Sequence, residues 1–125
     1  MKLLLDTNVL LWWWIGSDRI NPEVRESISD CDNEVFVSPA SLWEIEIKRS
    51  RGKLNAPDDL IAEVSADRFI PLPVTFRHAV MAGRLPQHHN DPFDRLLIAQ
   101  ALDENLTIVS ADSVFPLYNI GLLPV

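Results

Sequence analysis

Asp91-Pro92-Phe93-Asp94-Arg95-Leu96-Leu97-Ile98-Ala99-Gln100-Ala101-Leu102-Asp103-Glu104, followed after a short break by Thr107-Ile108-Val109, is the clearest structural signal in the chain. Asp91 is a side-chain acceptor suited to a helix N-cap, and Pro92 at the next position has its φ preset for a first turn. The apolar run that follows predicts a long helix to about Glu104. Thr107 to Val109 is short, β-branched and apolar, which predicts a strand. A helix leading directly into a buried strand is half of a βαβ unit.

The same grammar recurs on both sides of this segment. Lys2 to Leu5 predicts a strand stopped at Asp6, then a helix over Val9 to Ile15 with Thr7 or Asn8 near its start and Gly16 as its stop. Asn21-Pro22 opens a helix to about Asp30, and Glu34 to Val37 is a second strand. Ser38-Pro39 starts a helix through about Arg51, closed by Gly52. Asn55 to Pro57 opens a further helix to about Ala66. Phe69 to Leu72 is a third strand, and its Pro71 places it at a sheet edge. Thr75 to Gly83 is helical, and Tyr118 to Leu122 is a fifth strand. Strands alternating with crossover-length helices define an α/β fold with a mainly parallel sheet of four or five strands. No linker or repeat interrupts it, so residues 1–125 are expected to form a single domain.

The bulk properties narrow the function. The chain has 125 residues, a net charge of −7 and one cysteine, Cys31. A lone cysteine excludes an internal disulfide framework and a thiolate metal cluster, and fits a reducing, cytoplasmic setting. The opening apolar run is cut by Asp6, and Val9 to Ile15 is too short to span a bilayer, so neither signal peptide nor membrane anchor is expected. An acidic protein is not a general nucleic-acid groove binder. Either its acids converge on metal ions or they form a solvated surface.

Four acids occupy positions where convergence is possible. Asp6 directly follows the first strand and Asp112 follows the fourth. Glu44 lies one and a half turns into the helix after the second strand, and Asp94 lies in the first turn of the helix leading to the fourth. Sites in open parallel sheets lie beyond the carboxyl ends of the strands, at the switch in strand order. If strands one and four are neighbours, Asp6 and Asp112 face one crevice. Crowded carboxylates repel one another, and a divalent cation relieves the repulsion. Singly, each acid has a simpler role. Asp6 can end a strand, Glu44 can pair with Lys48 four residues on, Asp94 can favour the helix dipole, and Asp112 can close a turn. Asp91 is assigned as a cap.

The motifs themselves carry a resemblance. Leu3-Leu4-Leu5-Asp6-Thr7-Asn8 resembles the opening of PIN domains, and Ser41-Leu42-Trp43-Glu44-Ile45 with Lys48 resembles their middle motif. His89-Asn90-Asp91-Pro92-Phe93-Asp94-Arg95-Leu96-Leu97-Ile98-Ala99-Gln100-Ala101 resembles a distinctive stretch of one bacterial subgroup. Ile108-Val109-Ser110-Ala111-Asp112-Ser113-Val114-Phe115 resembles the late acidic motif. The order is the family's, over nearly the whole chain. The resemblance implies a three-layer PIN-like fold and a metal-dependent endoribonuclease. Asp6, Glu44, Asp94 and Asp112 would be the acidic quartet holding Mg²⁺ or Mn²⁺, with Asn8, Ser110 and Lys48 in support. It further implies a VapC-type toxin, often dimeric, inhibited by a cognate antitoxin. Ser110 stands where a threonine is frequent, and the hydroxyl is retained.

Other residues are assigned more modestly. Lys48, Arg49, Arg51 and Lys53 concentrate basic charge, either as a phosphate contact beside the site or as a helix end, where cations favour the dipole; the second reading is taken for Arg51 and Lys53, and Arg95 pairs with an acid or with RNA. Trp12, Trp13 and Trp14 fan around a helix, so at least one should be exposed or meet a partner. His88 and His89 lack the ligand spacing of a zinc site. His89 is expected to order its loop, and His78 to have no special role. Two competing functions are a phosphorylated receiver-type signalling domain and a non-catalytic binding module on the same scaffold. Against the first, the third strand ends in Leu72-Pro73 and no lysine follows Lys53.

Overall fold

A computed structural model describes residues 1–52 and 54–125; Lys53, read above as part of a helix end, lies outside the described residues. The chain runs β1 (Lys2–Leu5), α1 (Thr7–Ile15), α2 (Pro22–Ser29), β2 (Glu34–Val37), α3 (Pro39–Ser50), α4 (Leu60–Ala66), β3 (Ile70–Pro71), α5 (Phe76–Arg84), α6 (Pro92–Glu104), β4 (Thr107–Ser110) and β5 (Gly121–Pro124). The five strands form one sheet in the order β3-β2-β1-β4-β5, and every pairing is parallel. Receiver-type sheets run 2-1-3-4-5, so the order itself separates this fold from the signalling alternative.

Strand alternation divides the core into two layers. Leu3 and Leu5 of β1 face one side with Val37 of β2 and with Val9, Val24, Ile45 and Val64, drawn from α1, α2, α3 and α4. Leu4, between them, faces the other side with Leu97, Ile98, Ile108 and Phe115. A central strand buried on both faces must be apolar at every position, which explains the uninterrupted leucine run. β3 sits on an edge, as its proline requires.

Helix α1 opens at Thr7, one of the two starts expected, with Asp6 as its cap, accepting from the Val9 N–H. Three boundaries differ from the sequence reading. Helix α4 starts at Leu60 because Asp59, not the Asn55–Pro57 segment, caps the Ala62 N–H. β5 begins at Gly121, three residues later than expected, because Phe115–Leu117 forms a 3₁₀ turn that delays the strand. β3 is shorter than the Phe69–Leu72 strand expected.

The tryptophans also behave differently. All three are half-buried and none is exposed. Arg19 lies over Trp12 at 5.4 Å and Arg25 over Trp13 at 5.5 Å from the ring centroids, while Trp14 Nε1 donates to Asp67 at 2.8 Å. Partners within the chain cover what the helix cannot bury. No helix among the described residues is long and apolar enough to cross a membrane.

Candidate active site

The strand order turns at β1 and β4, which are adjacent and in register, with Leu5 opposite Val109. Asp6 and Asp112 therefore leave neighbouring strands at the same carboxyl edge. The Asp6 N–H still donates to the Val109 carbonyl at 3.1 Å, tying the acid to the end of the sheet. Its side chain is 4% exposed and accepts from the Val9 N–H at 2.7 Å. One carboxylate thus ends a strand, caps a helix and lines the crevice.

Glu44 is buried on α3, which crosses toward α1. Thr7 donates its hydroxyl proton to Glu44 Oε1 at 2.7 Å. With that proton committed, Thr7 accepts from the Ser41 hydroxyl 3.2 Å away. Lys48 binds Glu44 Oε2 at 3.0 Å, so both carboxylate oxygens have a partner. The i,i+4 pair expected from the sequence is present, and Glu44 is buried rather than solvated. Lys48 itself is exposed.

Asp94 enters from the first turn of α6. Asp91 caps that turn, accepting from the N–H groups of Phe93 and Asp94 at 2.8 and 3.1 Å. Asp94 Oδ2 lies 2.7 Å from His89 Nε2, which is also 4.0 Å from Asp112 Oδ2. Ser110 is buried, and its hydroxyl accepts from the Asp112 N–H at 3.0 Å. Asp112 Oδ1 accepts from the Val114 N–H at 2.9 Å, so the turn reading holds for one oxygen. The other faces His89. Asn8 alone stands apart: it is exposed on α1 and forms no side-chain hydrogen bond among the described residues.

The electrostatics register this convergence. Burial pushes the Asp6 carboxyl up to about 6. Hydrogen bonds from Ser110 and the Val9 N–H oppose the rise, and the charges of Asp94 and Asp112 add to it. Asp94 is likewise raised to about 6, first by burial, with the charges of Asp91 and Glu44 adding and His89 opposing. Hard oxygen donors that resist ionisation together are the donor set a divalent cation satisfies.

Three residues correct the sequence reading. His89 does more than order a loop, because its ring nitrogen sits among the carboxylates. Arg95 forms no ion pair with an acid among the described residues: it is buried and donates to the carbonyls of Ala82, Leu85, Pro86 and His89 at 2.7–3.1 Å. His78 is fully buried, accepting from the Thr75 N–H through Nδ1, with Nε2 3.2 Å from Asp103 and from Glu104. Thr7 and Ser41 had no role at the site in the sequence reading. Their signal is tertiary, since Thr7 meets a glutamate 37 residues away.

A fully parallel 3-2-1-4-5 sheet with acids gathered at its switch point defines a three-layer α/β protein of the PIN type. The PIN domain family model matches residues 3–120, and the chain belongs to that family. Its fold is similar to that of the VapBC2 complex of Rickettsia felis bound to a promoter DNA fragment (TM-score 0.76, 17% identity, covering 100% of this chain and 99% of that one). It is also similar to DNA-bound VapBC of Salmonella typhimurium (0.69, 20%, 99% and 98%) and to VapBC-5 of Mycobacterium tuberculosis, described as a toxin–antitoxin system (0.62, 19%, 99% and 98%). A comparison with curated protein sequences gives no match.

Proposed function

We propose that this protein is a metal-dependent endoribonuclease that hydrolyses phosphodiester bonds of single-stranded or structured RNA in the cytoplasm, and that it is the toxin of a bacterial toxin–antitoxin pair. The observation that carries the proposal is the gathering of Asp6, Glu44, Asp94 and Asp112 at the carboxyl edge of β1 and β4. These four would hold Mg²⁺ or Mn²⁺. When bound, the ion polarises a phosphoryl oxygen and neutralises the clustered charge. The chain's own groups fix the frame. Asp6 is immobilised by its cap bond, Thr7 orients Glu44, and Ser110 holds the Asp112 turn. Lys48, exposed beside Glu44, meets a backbone phosphate and offsets the acidity that would otherwise repel RNA.

A groove of about 300 Å³ lined by Val37, Leu42, Ile61, Val64 and Phe69 supports an antitoxin partner, since an apolar peptide segment would fill it. Phe76 and Val80, one turn apart on α5 and 94% and 50% exposed, support a homodimer. Purified protein with Mg²⁺ or Mn²⁺ should cleave RNA, chelation should stop it, and Asp94→Asn should abolish it. Full activity of that variant in the presence of EDTA would refute the proposal.

A further inference from the structure

His89 lies outside the acidic quartet, yet it is placed as firmly as any member. Its backbone N–H donates to the Tyr118 hydroxyl at 3.0 Å, and that hydroxyl donates onward to the Pro86 carbonyl at 2.8 Å. Its carbonyl accepts from Arg95 at 3.1 Å. Its ring stands edge-on to buried Phe115, with centroids 6.4 Å apart at 80°. The imidazole is thus held in place by groups that do not take part in the site, and its side chain is only 18% exposed.

The position that results has a specific geometry. Nε2 is 2.7 Å from Asp94 Oδ2 and 4.0 Å from Asp112 Oδ2. The three ligand atoms offered by His89, Asp94 and Asp112 lie within 4.8 Å of one another. In an octahedral shell with bonds of about 2.1 Å, neighbouring ligands are about 3 Å apart and opposite ones about 4 Å. The two separations from His89 lie close to these spacings. An imidazole nitrogen among carboxylates also changes the ion preferred, because nitrogen donors suit first-row transition ions better than Mg²⁺.

We propose that His89 Nε2 is a nitrogen ligand of the divalent-metal centre, beside Asp94 and Asp112, and that it biases the centre from Mg²⁺ toward first-row transition ions such as Mn²⁺. This rests on the metal-centre proposal above and adds a donor to it. The hydrogen bond between His89 and Asp94 is then the metal-free arrangement of two ligands, which a bound ion replaces.

The test is spectroscopic. Full-length protein stripped with EDTA is titrated with Mn²⁺ and, separately, Mg²⁺ by calorimetry. The Mn²⁺ form is examined by electron spin-echo modulation, with natural-abundance and ¹⁵N-histidine protein. Histidine coordination gives ¹⁴N modulation that changes to ¹⁵N on labelling. His89→Gln should remove the modulation and weaken Mn²⁺ on the order of tenfold or more, with a smaller factor for Mg²⁺. His88→Gln should change neither. Mn²⁺ binding without nitrogen modulation in the unsubstituted protein overturns the role of His89 and leaves the carboxylate centre standing. No Mn²⁺ binding by that protein overturns both. The measurement on unsubstituted protein decides the matter even if His89→Gln folds poorly.

Discussion

Replacing Asp6 by asparagine should make the protein more stable while destroying the site. Asp6 is 4% exposed, and its carboxyl is raised from 3.8 to about 6, chiefly by burial. A rise of about two pH units corresponds to about 3 kcal/mol spent keeping the carboxylate ionised in the folded state at neutral pH. The sign follows from which state binds the proton more tightly. The folded form does, so the contribution of Asp6 to stability is fully present below pH 3.8. It is lost as pH rises through about 6. Asparagine removes the ionisation but keeps the Oδ1 acceptor for the Val9 N–H, and the two residues cap about equally well. Some of the repulsion with Asp94 and Asp112 is shared, so a gain of about 1–3 kcal/mol is expected above pH 7, shrinking toward zero at pH 4. For a domain of this size that is a rise of roughly 3–10 °C in Tm. Thermal and urea unfolding of both proteins in EDTA, from pH 4 to 8, measures the difference directly. Saturating Mg²⁺ should narrow it, because the ion stabilises only the protein that binds it. A variant less stable than the parent at pH 7.5, with a difference flat across the range, would refute the electrostatic account of the site.

Two further substitutions probe the frame. Thr7→Val keeps the shape but takes the 2.7 Å donor from Glu44. It should cost about 1–3 kcal/mol in urea unfolding and weaken divalent-metal binding measured by calorimetry; unchanged metal affinity would show that Thr7 does not position Glu44. Arg95→Met strands the carbonyls of Ala82, Leu85, Pro86 and His89. It should cost at least about 3 kcal/mol and lower hydrogen-exchange protection around residues 85–91. A melt within about 0.5 kcal/mol of the parent would show that these carbonyls find water instead.

The leucine run of β1, the Asp91-Pro92 start of α6 and the Thr107–Val109 strand were legible because each obeys a local rule: burial on both faces, a cap with a preset φ, β-branching. The cap of α4 misled because Asn55-Ala56-Pro57 and Asp59 are equally good starts locally, and only packing of Leu60 and Val64 against the sheet chose between them. The same limit applied at the site. Sequence and family likeness together pointed to Asp6, Glu44, Asp94 and Asp112, and spacing alone did not select them from the other acids. Arg95 read as the partner of an acid or of RNA, because nothing local shows the four carbonyls that α5 and its following loop supply.

Local chemistry, acting over a few residues, determined which segments are strands and helices and where most of them begin; this much the amino-acid order settled by itself. Tertiary structure alone decided that β1 and β4 lie side by side, that Thr7 reaches Glu44, and that His89 faces Asp94 and Asp112. Those contacts join residues far apart in the chain, or turn a loop side chain toward a crevice that does not exist until the sheet closes. Their free energy comes from burial and shared charge, which a linear string does not specify.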